Sequence, residues 1–406
     1  MKRNRRTRYC QEDLLIRHCA RTSPEEERSR KIEDLLHRDL DWGYIAQKTK
    51  DQGVTPLLYH NLSKTENGRD YIPDDILTRL KNLYYGSAAN NILLYQRLSR
   101  VLAFLREENI KVIALKGAAL AESVYGNPAL RPMSDVDLLV RKEDLPRVNE
   151  RLRLLGYTTE VNYLDCLKTS DNSYLNSIMM HNTTSPPLHV HWHLANSTIP
   201  TFTYSSRIEM ERIWQEAIPA RVADVESLVL APHHLLIHLS EHALRPNHSL
   251  GKLIFLCDIH EAIRTYRDQL NWGLLKEEAF RFNLNRQLYH CLRLTSQVLG
   301  ADVPRDILGK LKPKSTGFTE HRFLTLALRP KACCGFSYVI QLAMCQSLSQ
   351  KTRFLWRTLF PPRQILVQRY VFPQAKRGPL YSHLLRRFAQ GSKVLSYLGR
   401  NLLSRN

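Results

Sequence analysis

Residues 110–140, IKVIALKGAALAESVYGNPALRPMSDVDLLV, set two short apolar runs on either side of a glycine turn and close on a pair of acids. Ile110, Val112, Ile113 and Leu115 predict a short strand that ends at Lys116 and Gly117 and passes into a helix over 118–124. A second strand is expected over 135–140. The helix expected over 143–155 carries Asp144 and Pro146 in its first turn and stops at Gly156. The unit reads strand, helix, strand, helix.

Because side chains alternate along a strand, Asp135 and Asp137 project from one face, with Cα atoms roughly 7 Å apart. Two carboxylates sharing a small site either rise in pKa or require a cation. Mg²⁺ takes oxygen ligands, and two such ions about 3.5–4 Å apart activate a nucleophile and steady a phosphate leaving group. Paired acids at this spacing therefore suit phosphoryl or nucleotidyl transfer. Upstream, Gly117 at a strand-to-helix turn lets a phosphate approach backbone N–H groups beside Lys116, and Arg131 and Ser134 add donors.

Outward from this core, residues 13–108 show apolar positions at helical spacing, as in Ile32, Leu35, Leu36 and again Leu94, Leu98, Val101, Leu102, Leu105. Further strands are expected over 157–161, 178–181 and 188–194, and from Val225 onward the pattern reads as helical, with an Asn271 cap before Trp272. The divisions expected are a helical region over 1–108, a mixed core over 109–222, a helical region over 223–320 and a basic helical region over 321–406.

The 406 residues carry 59 basic against 39 acidic side chains, a net charge near +20. Residues 321–406 contain fifteen Lys or Arg and no Asp or Glu, so most of the excess sits in this tail. A segregated basic tail argues for a separate anionic partner, a membrane surface or a nucleic acid. Leu384, Leu385, Phe388, Leu395 and Leu398 beside Arg386, Arg387 and Lys393 form a basic amphipathic helix there.

With 43% hydrophobic residues the chain has the mass for packed cores, and this excludes a disordered polymer. No apolar run reaches the length of a membrane span. Gln11, Glu12 and Asp13 fall where a signal peptide places its apolar stretch, so the reading is cytoplasmic, peripheral to a membrane at most. Eight scattered cysteines without a CxxC pair fit reduced thiols, and GxSxG is absent.

The run Leu115, Lys116, Gly117, Ala118, Ala119, Leu120, then Tyr125, Arg131, Ser134, Asp135, Val136, Asp137, Leu138, Leu139, Val140 resembles an uncharacterised nucleotidyltransferase family of the DNA polymerase β superfamily. Blocks at 188–194, 235–242, the Asp258 helix, Asn271 with Trp272, and 359–370 extend the likeness over most of the chain. The resemblance implies an α+β fold, a small mixed sheet flanked by helices with helical terminal regions. It implies Mg²⁺ on Asp135 and Asp137, two ions in an active site. Lys116, Gly117, Ala118, Arg131 and Ser134 would meet the phosphates of an NTP. A nucleoside monophosphate would pass to a hydroxyl acceptor on a protein, a small molecule or RNA. Arg131 has a structural alternative, pairing with an acid near the sheet.

This sequence departs from the family at two places. Ala118 follows Gly117, with sixteen residues before the first acid. The third carboxylate, two residues ahead of the His of a His-Trp pair, is His189, followed by His191 and Trp192. A neutral imidazole lowers the charge available to hold two Mg²⁺. His189 is then either a general base or the mark of a module that binds nucleotide without turnover.

Two other patterns carry a metal reading beside a structural one. His189, His191 and His193 could face a transition metal, and His238, Glu241 and His242 spell H-x-x-E-H, here preferred as a packing helix. Trp192 and Trp272 are expected to anchor the core.

Overall fold

The computed structural model of the protein describes residues 10–22, 25–65, 68–159, 176–195, 205–245, 252–313, 336–345, 347–361 and 379–403. Its six strands are β1 (Val112–Leu115), β2 (Val136–Val140), β3 (Ser177–Met180), β4 (Leu188–His191), β5 (Ile218–Val222) and β6 (Val225–Val229). They form one sheet in the order β3-β4-β2-β1-β6-β5. β1 is antiparallel to β2 and parallel to β6, and β2 is parallel to β4, so the sheet is mixed. Sixteen described α-helices flank it, the α+β arrangement with helical ends that the resemblance implied.

Five helices precede the sheet: α1 (Gln11–Cys19), α2 (Glu26–Leu36), α3 (Trp42–Gln52), α4 (Thr55–Lys64) and α5 (Asp74–Glu107). The polar break with Gly68 separates α4 from α5. Helix α6 (Lys116–Ser123) follows β1, and α7 (Leu145–Leu154) follows β2. Next come α8 (Met210–Glu216), α9 (Pro232–Ala243), α10 (Leu253–Thr265), α11 (Trp272–Arg281), α12 (Asn285–Leu299) and α13 (Arg305–Leu311). The tail contributes α14 (Phe336–Met344), α15 (Leu348–Leu359) and α16 (Pro379–Leu403). The side chain of Asn271 accepts from the Leu274 N–H, the cap expected for α11.

The sheet buries both faces. Val112, Ala114, Val136, Leu138 and Val140 pack with Leu98, Leu102 and Leu105 of α5 and Leu152 of α7. Ile113, Leu115 and Leu139 pack on the other side with Leu235 and Leu239 of α9 and Leu256 and Ile259 of α10. Each fully buried aliphatic side chain contributes about 1.5–3 kcal/mol. A one-residue slip of β2 would drive Asp137 into the α5 side, so packing fixes which face carries the acid.

The helical reading from Val225 is corrected: residues 225–229 are β6, and β5 and β6 form an edge hairpin. Its two-residue turn is Ala223-Asp224, both left-handed at φ 50° and 63°. Such turns normally advertise themselves as Asn-Gly or Asp-Gly, and this one does not. Of the strand expected over 157–161, Thr158 makes an isolated bridge to His181, while residues 160 and 161 lie outside the described residues. So do Cys166, Cys333, Cys334 and residues 362–370 of the last family block. Trp192 is buried in the cluster on the α5 side of the sheet, and the half-buried Trp272 packs against the cluster on the α9 and α10 side.

Candidate active site

Register places the acids. Asp137 sits opposite Leu115 on β1 and opposite His189 on β4, while His191 pairs with Leu139. Asp137, His189 and His191 therefore share the sheet face that looks toward α9 and α10. Asp135 stands just before β2, half-buried, and accepts a 3.0 Å hydrogen bond from the exposed Ser134 hydroxyl.

Asp137 Oδ1 is the centre of the site. The Lys116 ammonium donates to it at 2.6 Å, His191 Nε2 lies at 2.8 Å and His189 Nδ1 at 3.2 Å. The tautomers follow: His191 carries its proton on Nε2, and His189 carries its own on Nδ1, leaving Nε2 to accept from the Ser177 hydroxyl at 2.8 Å. Burial pushes the Asp137 carboxyl up, but Lys116 and the two histidines outweigh it and hold it well below the usual carboxylate range. Burial pulls Lys116 below the ordinary lysine value, opposed by Asp137. Burial, then the neighbouring His189, keeps the His191 ring neutral. The result is one ionised carboxylate gripped by an internal cation.

The strand-to-helix turn joins β1 to α6 at Lys116 and Gly117. The left-handed residue is Lys116, at φ 47°, and this conformation carries its side chain to Asp137. Gly117 is needed for close approach: a Cβ there would lie 2.9 Å from Met133 Cγ and 3.3 Å from Arg131 Nη1. Gly117 and Ala118 are both buried, and the Ala118 carbonyl accepts from the Tyr95 hydroxyl at 2.9 Å.

Arg131 reaches away from this centre. Its Nε and Nη2 donate to Asp258 Oδ1 and Oδ2 at 3.1 and 2.8 Å, and the Tyr125 hydroxyl donates to Asp258 Oδ1 at 2.8 Å. Asp258 on α10 thus holds the loop that leads into β2. From α5, Asn91 donates to the carbonyls of Pro128 and Arg131 at 2.5 and 2.8 Å, and Asn90 to that of Met133 at 3.0 Å. Asn90, Asn91 and Ser177 carried no sequence signal as site residues. A polar pair at mid-helix was the available hint for the asparagines.

The other metal readings divide. His189 and His191 join Asp137 as a three-residue set with metal-ligand geometry, whereas His193 lies past the end of β4 and accepts from the Ala195 N–H at 3.0 Å. On α9, Glu241 is ion-paired with Arg245, both buried, which commits the acid of H-x-x-E-H to packing.

In this mixed sheet the first strand-to-helix turn faces Asp137 on the adjacent antiparallel strand, with Asp135 just ahead of that strand. The chain belongs to the uncharacterised nucleotidyltransferase family, whose model matches residues 38–300, more than half of the 406. A comparison with curated proteins gives no match. Nucleotidyl transfer is the class of chemistry that this membership supports.

Proposed function

We propose that the protein transfers a nucleoside monophosphate from an NTP to a hydroxyl acceptor, with Asp135 and Asp137 as the ligands of Mg²⁺. The observation that carries this reading is the convergence of Lys116, His189 and His191 on Asp137 at the start of α6, with the half-buried Asp135 two residues ahead in the chain. The donor chemistry fits the ion: two carboxylates supply hard oxygens, and the Lys116 ammonium is already a stand-in cation on one of them. Bound there, Mg²⁺ would stabilise charge on the transferring phosphate and the leaving pyrophosphate.

Lys116 contributes a fixed positive charge under the phosphates, so the site needs less external charge than a three-acid site with two ions. Met133 and Arg131 pack close to Gly117, so any side chain at this position would collide with the Met133 thioether. Ser134, exposed at the mouth, donates to a phosphate oxygen. His189 accepts the acceptor hydroxyl's proton on Nε2 when that hydroxyl replaces Ser177. In this proposal Arg131 positions the loop and leaves phosphate binding to Lys116 and Ser134.

The full engagement of Asp137 Oδ1 by Lys116, His189 and His191 favours a second reading, nucleotide binding without turnover. NTPs labelled at the α-phosphate, incubated with Mg²⁺ and the protein, separate the two. The expected result is labelled product or self-modification in wild type, lost in Asp135→Ala. Activity that appears only in His189→Glu would contradict the first reading and support the second.

The tail supports an anionic membrane surface as the partner of residues 321–406. Trp356, Phe388 and Leu395 are 65%, 72% and 71% exposed, beside Lys351, Lys393 and Arg400, and no acid occurs in this segment. Each basic group near such a surface contributes about 1 kcal/mol. No helix among the described residues is long and apolar enough to cross a membrane. Sedimentation with phosphatidylserine vesicles should capture the full chain, and Trp356→Ser with Phe388→Ser should reduce capture by at least tenfold. Equal capture by the variant, or binding to RNA alone, would overturn the membrane assignment.

A further inference from the structure

A second set of metal-ligating side chains lies where α8, the first turn of α9 and α11 meet. Glu216, His233 and His234 each bring a ligand atom within 4.8 Å of the others. His233 Nε2 is 2.8 Å from Glu216 Oε2, and His234 Nε2 is 3.7 Å from Glu278 Oε2. These separations bracket the roughly 3.3 Å expected between ligand atoms around a tetrahedral ion with bonds of about 2.0–2.1 Å.

Two observations point to a ligand here. His234 is wholly buried, yet neither of its ring nitrogens has a hydrogen-bond partner, and that is costly in a core unless something else binds them. Each glutamate also divides its oxygens: Arg212 Nη2 lies 3.3 Å from Glu216 Oε1 and 2.9 Å from Glu278 Oε1, while both Oε2 atoms turn to histidines. Ligating carboxylates are commonly held this way by an outer partner.

We propose that Glu216, His233 and His234 bind a divalent transition metal, Zn²⁺ foremost, that ties α8 to α9, with Glu278 of α11 beside His234. Imidazole donors select zinc over Mg²⁺ or Ca²⁺, and Arg212, with Arg281 Nε 3.4 Å from Glu278 Oε1, balances the carboxylates when no metal is bound. The role is structural. It is independent of the nucleotidyl-transfer reading, since none of these residues belongs to the sheet site.

The test is a Zn²⁺ titration of the tag-free, chelator-stripped full chain by calorimetry, with Co²⁺ absorption as a report on tetrahedral geometry. Because Asp137, His189 and His191 form another metal-capable set, His189→Ala is titrated in parallel. Glu216→Gln and His233→Gln are near-isosteric, and their folding is checked by circular dichroism. The expected result is a tetrahedral site in wild type and in His189→Ala, weakened at least ~100-fold in Glu216→Gln and in His233→Gln. Absence of binding in wild type, unchanged affinity in the two isosteric variants, or loss confined to His189→Ala would overturn the proposal.

Discussion

Asp137→Ala is expected to lower the stability of the chain by about 3–5 kcal/mol, read as a shift of the urea unfolding midpoint. Lys116 and Asp137 are 7% and 6% exposed, so removal of the carboxylate leaves a buried ammonium without its counter-charge and deprives two histidines of their acceptor. Lys116→Met combined with Asp137→Leu should recover most of the loss, because an apolar pair has no charge to desolvate. If both proteins unfold alike, the pair is not what holds β1 to β2. The pH dependence follows from the signs. Asp137's folded pKa is depressed, so its contribution is fully present above the ordinary carboxylate value of about 3.9 and is lost as pH falls through the folded value. The folded pKa of Lys116 is also lowered, so its burial cost persists at neutral pH and is relieved as pH rises toward the ordinary lysine value.

Arg131→Ala is expected to cost a similar ~3–5 kcal/mol, because it strands the Asp258 carboxylate inside the helical layer. Arg131→Lys should recover little, since an ammonium cannot reproduce the two-pronged contact made by Nε and Nη2. A phosphate contact would behave differently: its loss would raise KM for the NTP while leaving the unfolding midpoint in place. Kinetics and unfolding measured on the same two variants distinguish these roles, and an intact midpoint in Arg131→Ala would refute the structural one.

The central unit was legible because its signals are local. The apolar run before Lys116 marked β1, the run after Asp137 marked β2, and Gly156 closed α7. The likeness singled out His189 as the position of a third site residue on a later strand, and the β2–β4 register sets it opposite Asp137. Contacts between distant residues were not legible. Arg131 and Asp258 are 127 residues apart, and nothing in either neighbourhood announces the other. The pairing of Lys116 with Asp137 was not legible either, because it is set by a left-handed turn that a lysine in the sequence does not advertise. The β5–β6 hairpin hid behind an Ala-Asp turn. Helix α9 is buried on all sides, so its sequence carries no polar face to separate a packing histidine from a ligating one.

The most direct test of the account is equilibrium binding of each NTP, with and without Mg²⁺, to wild type and to Asp135→Ala. Asp135 is half-buried and bonded to the exposed Ser134, so its loss should leave the melting temperature unchanged. The account predicts saturable, Mg²⁺-dependent binding that weakens at least tenfold in the variant, about 1.4 kcal/mol or more. Binding that ignores Mg²⁺, or that is equal in the two proteins, would contradict it.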